Sequence, residues 1–389
     1  MLPLLHIFKF QSSLLWPLFA TYTIALALSL FGSCQANEHG KRVKTSLSIV
    51  NEKNLYTISV GFGSPPQYHN LGIATGSANT YAGNIKPYQL TPTTIVLDQP
   101  FFIPYGFGNA TGKLVSDTLI LGKEQDSVTL RNFTVGNVTR LNVRFDGLLG
   151  LGLSAQSYPR NSQNIGTLLT PTGLLYDRDV LESVMFGLSF MPTSKHPDPN
   201  GLLTIGGIEP SRFTGNITWY PCSSYFTWDW KATISYGDNN LSDKSLMGVF
   251  DTSYTNSPAL PREIFDKYVL SIPGALWDDS WQAFNPYGVV NKYMLRIPRS
   301  SVAEMEDLCF TAGGVPWCLC PEAQLVPDGV ITDGDPEYRY GYVTPLRDEV
   351  DQKAGFIFGM KAMERFYVAF DLAGYQIGLA KTEWTESTF

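Results

Sequence analysis

Two stretches far apart in the chain follow one pattern: two hydrophobic residues, then Ala or Asp, then Thr, then Gly or Ser. They are "GIATGS" (Gly72–Ser77) and "VFDTSY" (Val249–Tyr254). Each is followed later by two apolar residues and a glycine, Leu148–Gly150 in one case and Ile357–Gly359 in the other. Self-similarity of this kind constrains architecture more than composition does, because it points to one structural unit used twice. The two halves meet near "LLTIGGIEPSRFTG", Leu202–Gly215.

The segments around these motifs read as strands. "LYTISVGFG", "TTIVLDQPFFIPYG", "KLVSDTLILG", "SVTLRNFTVG" and "GLLTIGG" alternate apolar and polar residues between turn signals, and many of them pair naturally as hairpins. Helical patterns are few. Pro261–Ile272 opens with proline at a helix start and carries apolar residues at Ile264, Phe265, Tyr268 and Val269. "SSVAEMEDL" (Ser300–Leu308) and "GMKAMERFYV" (Gly359–Val368) are the next candidates. The expected fold class is mostly β with a few short helices. With 35 glycines, 25 prolines and 16% charged residues in 389, the chain suits one large or two mid-sized loop-rich domains. A formal net charge of -7 argues against nucleic acid as a partner, since no basic cluster is present to neutralise phosphates.

The first thirty-six residues form a leader: His6 and Lys9 precede the apolar core Ile24–Phe31, and small residues at Cys34 and Ala36 suit a cut before Asn37. The alternative is an uncleaved anchor, although Pro17 and Thr21–Thr23 interrupt the apolar run. Membrane attachment is expected only in that case; otherwise the protein is secreted. Sequons at Asn109, Asn132, Asn137, Asn216 and Asn240 fit the secretory route. Beyond the leader, Cys222, Cys309, Cys318 and Cys320 allow three pairings, with a bridge from Cys309 to Cys318 or Cys320 favoured. Neither metal nor cofactor is expected, because "CLC" is too tight for a zinc corner and His69 and His196 are isolated. The acidic run Asp328–Tyr338 lacks the ligand spacing of a calcium loop and reads as a solvated segment.

Taken in order, these motifs resemble the pepsin-like aspartic proteases, and more closely the secreted fungal members, from about Tyr56 to Ala380. "YTISVGFGSPPQ" is similar to the first strand and turn of that family, and "ATGSANT" falls where its first D-T-G-S falls. "FFIPYGFGNATGKLVSDTL" resembles the flap hairpin, with Tyr105 and Gly106 at its tip. "DGLLGLG", "FDTSYTNSPALP" and "IFGMKAMERFYVAFDLAGYQIGLA" resemble the later landmarks. The resemblance implies a bilobal fold with a flap over an interlobe cleft, residues 55–207 forming one lobe and 208–389 the other, with 37–54 a short segment ahead of them. It also implies a monomer that takes a peptide or protein ligand in the cleft, lined by Thr75, Gly76, Ser77, Tyr105, Gly106, Thr252 and Ser253.

That family's chemistry needs two carboxylates, one acting as base toward water and the other as acid toward the carbonyl. Asp251 supplies one; Ala74 stands where the other is expected. No neighbour substitutes by pattern: His69 lies about 16 Å back along its strand on the opposite face, and Asp98 and Asp117 fall in other strands. Ser253 and Tyr254 depart from the second motif, and Asn37–Asn54, with a dibasic Lys41–Arg42, is short for the family's inhibitory pro-segment. The expectation is a homologue that has lost proteolysis, the alternative being an acid-active endopeptidase working through Asp251 alone.

Overall fold

The computed structural model describes residues 42–387, apart from 53–54, 106–107, 123–126, 142–144, 154–168, 194–195, 279–282, 285–289, 292–293, 332–333 and 347–354. The leader, Lys41 and Gly106 therefore lie outside the described residues. Burial differs between the first strands: β1 (Thr45–Asn51) alternates buried and open positions, whereas β2 (Tyr56–Phe62) is buried on nearly every position. β1 lies in the segment expected ahead of the lobes. Its alternating Thr45, Leu47 and Ile49 were a strand signal in their own right, and they pair with the strand at Asp198–Ile205.

β2 pairs antiparallel with β3 (Gln67–Ala74), and β3 pairs in parallel with the short strand Leu148–Gly150. Between them come β4 (Tyr81–Ala82), β5 (Ile95–Tyr105), β6 (Gly108–Leu121) and β7 (Val128–Leu141), the 148–150 strand then being β8. β5 and β6 form the long hairpin expected for the flap, with Tyr105 opposite Gly108 at its end. After β8 come β9 (Met185–Ser189) and β10 (Asp198–Ile205), which pair with each other. β9 also pairs with Phe366–Asp371 near the far end of the chain. One sheet of 13 strands thus carries strands from both ends of the sequence, running from Thr214–Pro221 at one edge to β5 at the other. A second sheet of 8 strands is built from the later part alone and contains Leu246–Asp251 beside Phe356–Gly359.

The core follows the aromatic residues. Phe186 stacks on Phe370 with ring centroids 4.6 Å apart, and Trp228 packs edge-on to both. Trp230 is surrounded by Phe250, Phe356 and Phe358. Truncating either tryptophan to alanine removes a fully buried ring, a change that costs about 3–5 kcal/mol. A smaller cluster beneath the β5–β6 hairpin gathers Ala74, Tyr81, Phe101, Ile103, Leu114 and Leu148.

Helix expectations held in part. Arg262–Leu270 is a helix that buries Ile264, Phe265 and Tyr268, as its spacing requires. Arg299–Glu304 is only a 3-10 turn. Met360–Met363 is a single helical turn, because Phe366–Asp371 leaves at once as a strand bonded on both sides. Ladder pairing outweighs helix propensity there. The bridge joins Cys309 to Cys318, which face each other in one antiparallel ladder, while Cys222 and Cys320 stay reduced.

One buried polar pair fastens β3 to the approach to β8. His69 Nδ1 lies 2.6 Å from Asp146 Oδ2, and Asp146 Oδ1 accepts from the Ile85 and Lys86 N–H groups. Burial is the largest single influence on this carboxyl and pushes its pKa up. The His69 hydrogen bond and the two N–H donors together outweigh it, so Asp146 is held below the usual carboxylate range. A lowered folded-state pKa means stability that is present above the ordinary carboxylate range and is lost as pH falls through the lowered value. Asp146→Asn is expected to cost roughly 2 kcal/mol at neutral pH, the scale for hydrogen bonds to a charged group. In urea unfolding that deficit shrinks once the medium is acid enough to protonate the native carboxylate; an equal deficit at both pH values would rule this account out.

Candidate functional site

The two motifs of the repeat end two strands of different sheets, and those strand ends meet. β3 ends at Ala74, whose parallel partner is Gly150; Leu246–Asp251 ends at Asp251, whose parallel partner is Gly359. The next pairings match as well, since β4 lies antiparallel to β8 and Ala259–Leu260 lies antiparallel to Phe356–Gly359. Each glycine has a reason to be one. A Cβ at Gly150 would collide with the Ala78 backbone, and one at Gly359 would collide with Tyr254 O.

Thr75 and Thr252 join these strand ends. Thr75 Oγ1 donates to Phe250 O at 3.0 Å and accepts from Thr252 N at 3.1 Å. Thr252 Oγ1 donates to Ile73 O at 2.6 Å and accepts from Thr75 N at 3.0 Å. Thr75 is 0% and Thr252 2% exposed. This corrects their expected place on the cleft wall: both hydroxyls are consumed by the opposite strand, so neither faces a ligand. The sequence carried the signal, a threonine after the Ala or Asp in both copies, but pattern alone does not say that the two face each other.

Ala74 and Asp251 therefore occupy matching positions with unlike surroundings. Ala74 is 0% exposed and belongs to the apolar cluster beneath the hairpin. Asp251 is half-buried, and its Oδ1 accepts from Ser253 N at 2.9 Å. Its carboxyl lies so close to Gly76 that a Cβ there would collide with it. Gly76 thus brings the first turn against the acid of the second. Ser77 Oγ accepts from Asn79 N, and Ser77 O accepts from Gly152 N, which ties that turn to the segment after β8. Tyr254 uses its carbonyl to accept from Met360 N.

None of the other acidic or basic candidates reaches the pair. His69 is spent on Asp146, and its Nε2 is buried without a hydrogen bond among the described residues. Asp98 pairs with Lys113 on the exposed side of the hairpin, where it adopts a positive φ of 50° at a register shift. Asp117 is buried and accepts from Tyr88, Thr93 and Thr94. Among the sequons, Asn132, Asn216 and Asn240 are exposed, while Asn109 and Asn137 are half-buried in paired strands. Asp307, Cys309 and Cys318 bring potential metal ligands together, but the two sulfurs are bonded to each other. Sequence reasoning missed Trp228, whose Nε1 donates to Leu151 O at 2.9 Å and links the second sheet to the segment after β8. No motif marks it.

Two strand ends carrying matched turns, cross-bonded threonines and a carboxyl between them define the aspartic peptidase architecture. The sequence profile described as Eukaryotic aspartyl protease matches residues 55–382, and the chain belongs to that family. Polyporopepsin of Irpex lacteus is 30% identical over 352 residues, which is 88% of this chain and 98% of that protein. Gastricsin of Cavia porcellus is 26% identical over 348 residues, covering 84% of this chain and 79% of that one. The crystal structure of the aspartic proteinase from Irpex lacteus matches with a TM-score of 0.78 at 29% identity, covering 89% of this chain and 99% of the other. The fold is mostly β and bilobal, of the pepsin type. No helix among the described residues is long and apolar enough to cross a membrane.

The threonine exchange makes a specific demand. Thr75→Val leaves Thr252 N–H and Phe250 C=O buried without their partner, and each orphaned group costs about 1–3 kcal/mol. Thr75→Val is therefore expected to lose roughly 3 kcal/mol in urea unfolding, with the Thr75→Val/Thr252→Val double change far from additive. Additive, sub-kilocalorie losses would mean that the strand ends are held by something else.

Proposed function

We propose that this protein is a secreted, fungal-type pepsin-like homologue that has lost proteolysis and keeps its cleft as a peptide-binding surface. The observation that carries the proposal is Ala74, at the end of β3, in the position that matches Asp251. Peptide hydrolysis in this family uses two carboxylates that share one proton, as in the pepsin pair. The ionised one activates water and the protonated one donates to the carbonyl. Ala74 is the site of the missing acid, and a methyl group neither holds nor passes a proton.

The surroundings support the same reading. Ala74 packs among apolar side chains. His69, Asp98 and Asp117 are committed elsewhere. What survives is suited to holding an extended peptide through backbone hydrogen bonds and side-chain pockets: the turn at Gly76 and Ser77, the hairpin end at Tyr105, and Asp251 with Ser253. The leader and the sequons favour secretion with glycosylation, and a glycan on Asn109 in the hairpin would crowd the entrance. The second reading, an endopeptidase working at acid pH through Asp251 alone, has the retained carboxyl in its favour. Losing one general acid or base typically costs about 100- to 10,000-fold, which leaves little turnover.

The test is hydrolysis of a denatured protein at acid pH by the secreted chain, beside Ala74→Asp and Asp251→Ala. The native chain is expected to be silent, and a labelled extended peptide is expected to bind it saturably. Pepstatin-sensitive cleavage by the native chain, absent in Asp251→Ala, would overturn the loss of proteolysis. Failure of any peptide to bind would remove the binding role and leave the fold as its own purpose.

A further inference from the structure

Away from the strand-end pair lies a cavity of about 300 Å³ whose wall carries Glu322, Asp328, Arg339, Lys361, Glu364 and Arg365. Asp328 is exposed and Glu322 and Arg339 partly buried, but interiors rarely hold even a few charges, because an ion removed from water must be compensated by a partner. Lys361, Glu364 and Arg365 are each only 4% exposed. Thr193, from the earlier half of the chain, completes the wall, so the cavity lies where the two halves meet.

The balance of donors and acceptors sets the ligand's chemistry. Every carboxylate on the wall already has a cationic donor. Glu364 Oε1 takes Lys361 Nζ at 2.7 Å and Asn51 Nδ2 at 3.2 Å. Asp328 is held by Arg299 at 2.7 Å and Glu322 by Arg339 at 3.3 Å. The donor side is less complete. A guanidinium offers five N–H groups. Arg339 Nη2 donates to Glu322 and to Val326 O, but its Nε is buried with no hydrogen bond among the described residues, standing 3.4 Å from Asp328 Oδ1. Lys361, already bonded to Glu364, and Arg365, whose Nη1 donates to the Trp384 and Ser387 carbonyls, place two further positive charges on the same wall. The volume sits at the small end of ligand sites, which run from about 300 to 1,000 Å³.

We propose that this cavity is a binding site for a small oxyanion, a carboxylate or a phosphate, received by the Arg339 guanidinium with Lys361 and Arg365 as flanking charges. Burial works against the charge of Lys361, yet the Glu364 carboxylate more than offsets it and leaves the ammonium pKa raised, so its charge is present at neutral pH. The site is also wired into the rest of the molecule. Glu364 accepts from Asn51 of β1 and from the Tyr56 hydroxyl of β2. Lys361 sits on the helical turn that begins directly after Gly359, the ladder partner of Asp251, and the Lys361 and Ala362 N–H groups both donate to Ser257 Oγ. An anion held there tightens the junction between the halves.

The experiment titrates the full secreted chain at neutral pH and constant ionic strength with inorganic phosphate and, separately, with citrate. Heat of binding and the midpoint of thermal unfolding are the readouts. One saturable site is expected, with the midpoint rising along a one-site curve and with affinity at least tenfold weaker in Arg339→Gln but unchanged in the exposed-helix control Arg262→Gln. Should Arg339→Gln fail to fold, Arg339→Lys keeps the charge and removes the planar fork, and the same weakening is expected. Saturation by phosphate alone or by citrate alone supports the proposal and names the source of the oxyanion. Absence of saturation with both anions, or an equal response in Arg262→Gln and the Arg339 variants, overturns it and leaves the charged cluster as a structural network.

Discussion

Everything about this molecule's site depends on four short hydrogen bonds between Thr75 and Thr252 and the backbones that face them. Each threonine gives its hydroxyl hydrogen to a carbonyl of the opposite strand and takes an N–H in return. The exchange is closed on itself and fully buried, so neither partner competes with water for it. Two strand ends from opposite halves of the chain are thereby set at one separation. Residues one step before each threonine, Ala74 and Asp251, are placed without further choice.

Symmetry of the frame makes the asymmetry of the contents informative. Ladders, bracing glycines and turns repeat in both halves, yet one position holds a buried methyl and the other a half-buried carboxyl. A frame that needs this much burial to assemble is retained for folding whatever chemistry is lost, and fold alone does not settle function. The case for lost catalysis rests instead on a proton count. One carboxyl cannot serve as base and acid in the same step, and among the described residues Asp98, Asp117 and Asp146 are each bound to a partner of their own.

Much of this was legible along the chain, and the failures have physical causes. Strands β6 and β7 showed because they largely bury one face and open the other, which writes itself as alternation. The matched Leu148–Gly150 and Ile357–Gly359 showed because a Cβ at either glycine has nowhere to go. The helix over Gly359–Val368 was overestimated because its apolar spacing suits a helix, while Phe366–Asp371 is claimed by ladders on both sides. Thr75 and Thr252 were seen as motif residues but assigned to the cleft, since a sequence does not show which hydroxyl faces which carbonyl. His69 with Asp146, and Glu364 with Asn51, join residues 77 and 313 positions apart and leave no local trace.

By itself the sequence determined the class of fold, the presence of two related halves and the absence of an acid at position 74. Those are properties of residue identity and of short-range periodicity, which are local. Tertiary structure decided where each polar group is spent: the threonines on each other's strands, His69 on Asp146, Lys361 on Glu364 and Arg339 on Glu322. Hydrogen bonds and ion pairs are directional and act over a few ångströms. Only the folded chain brings those partners within reach.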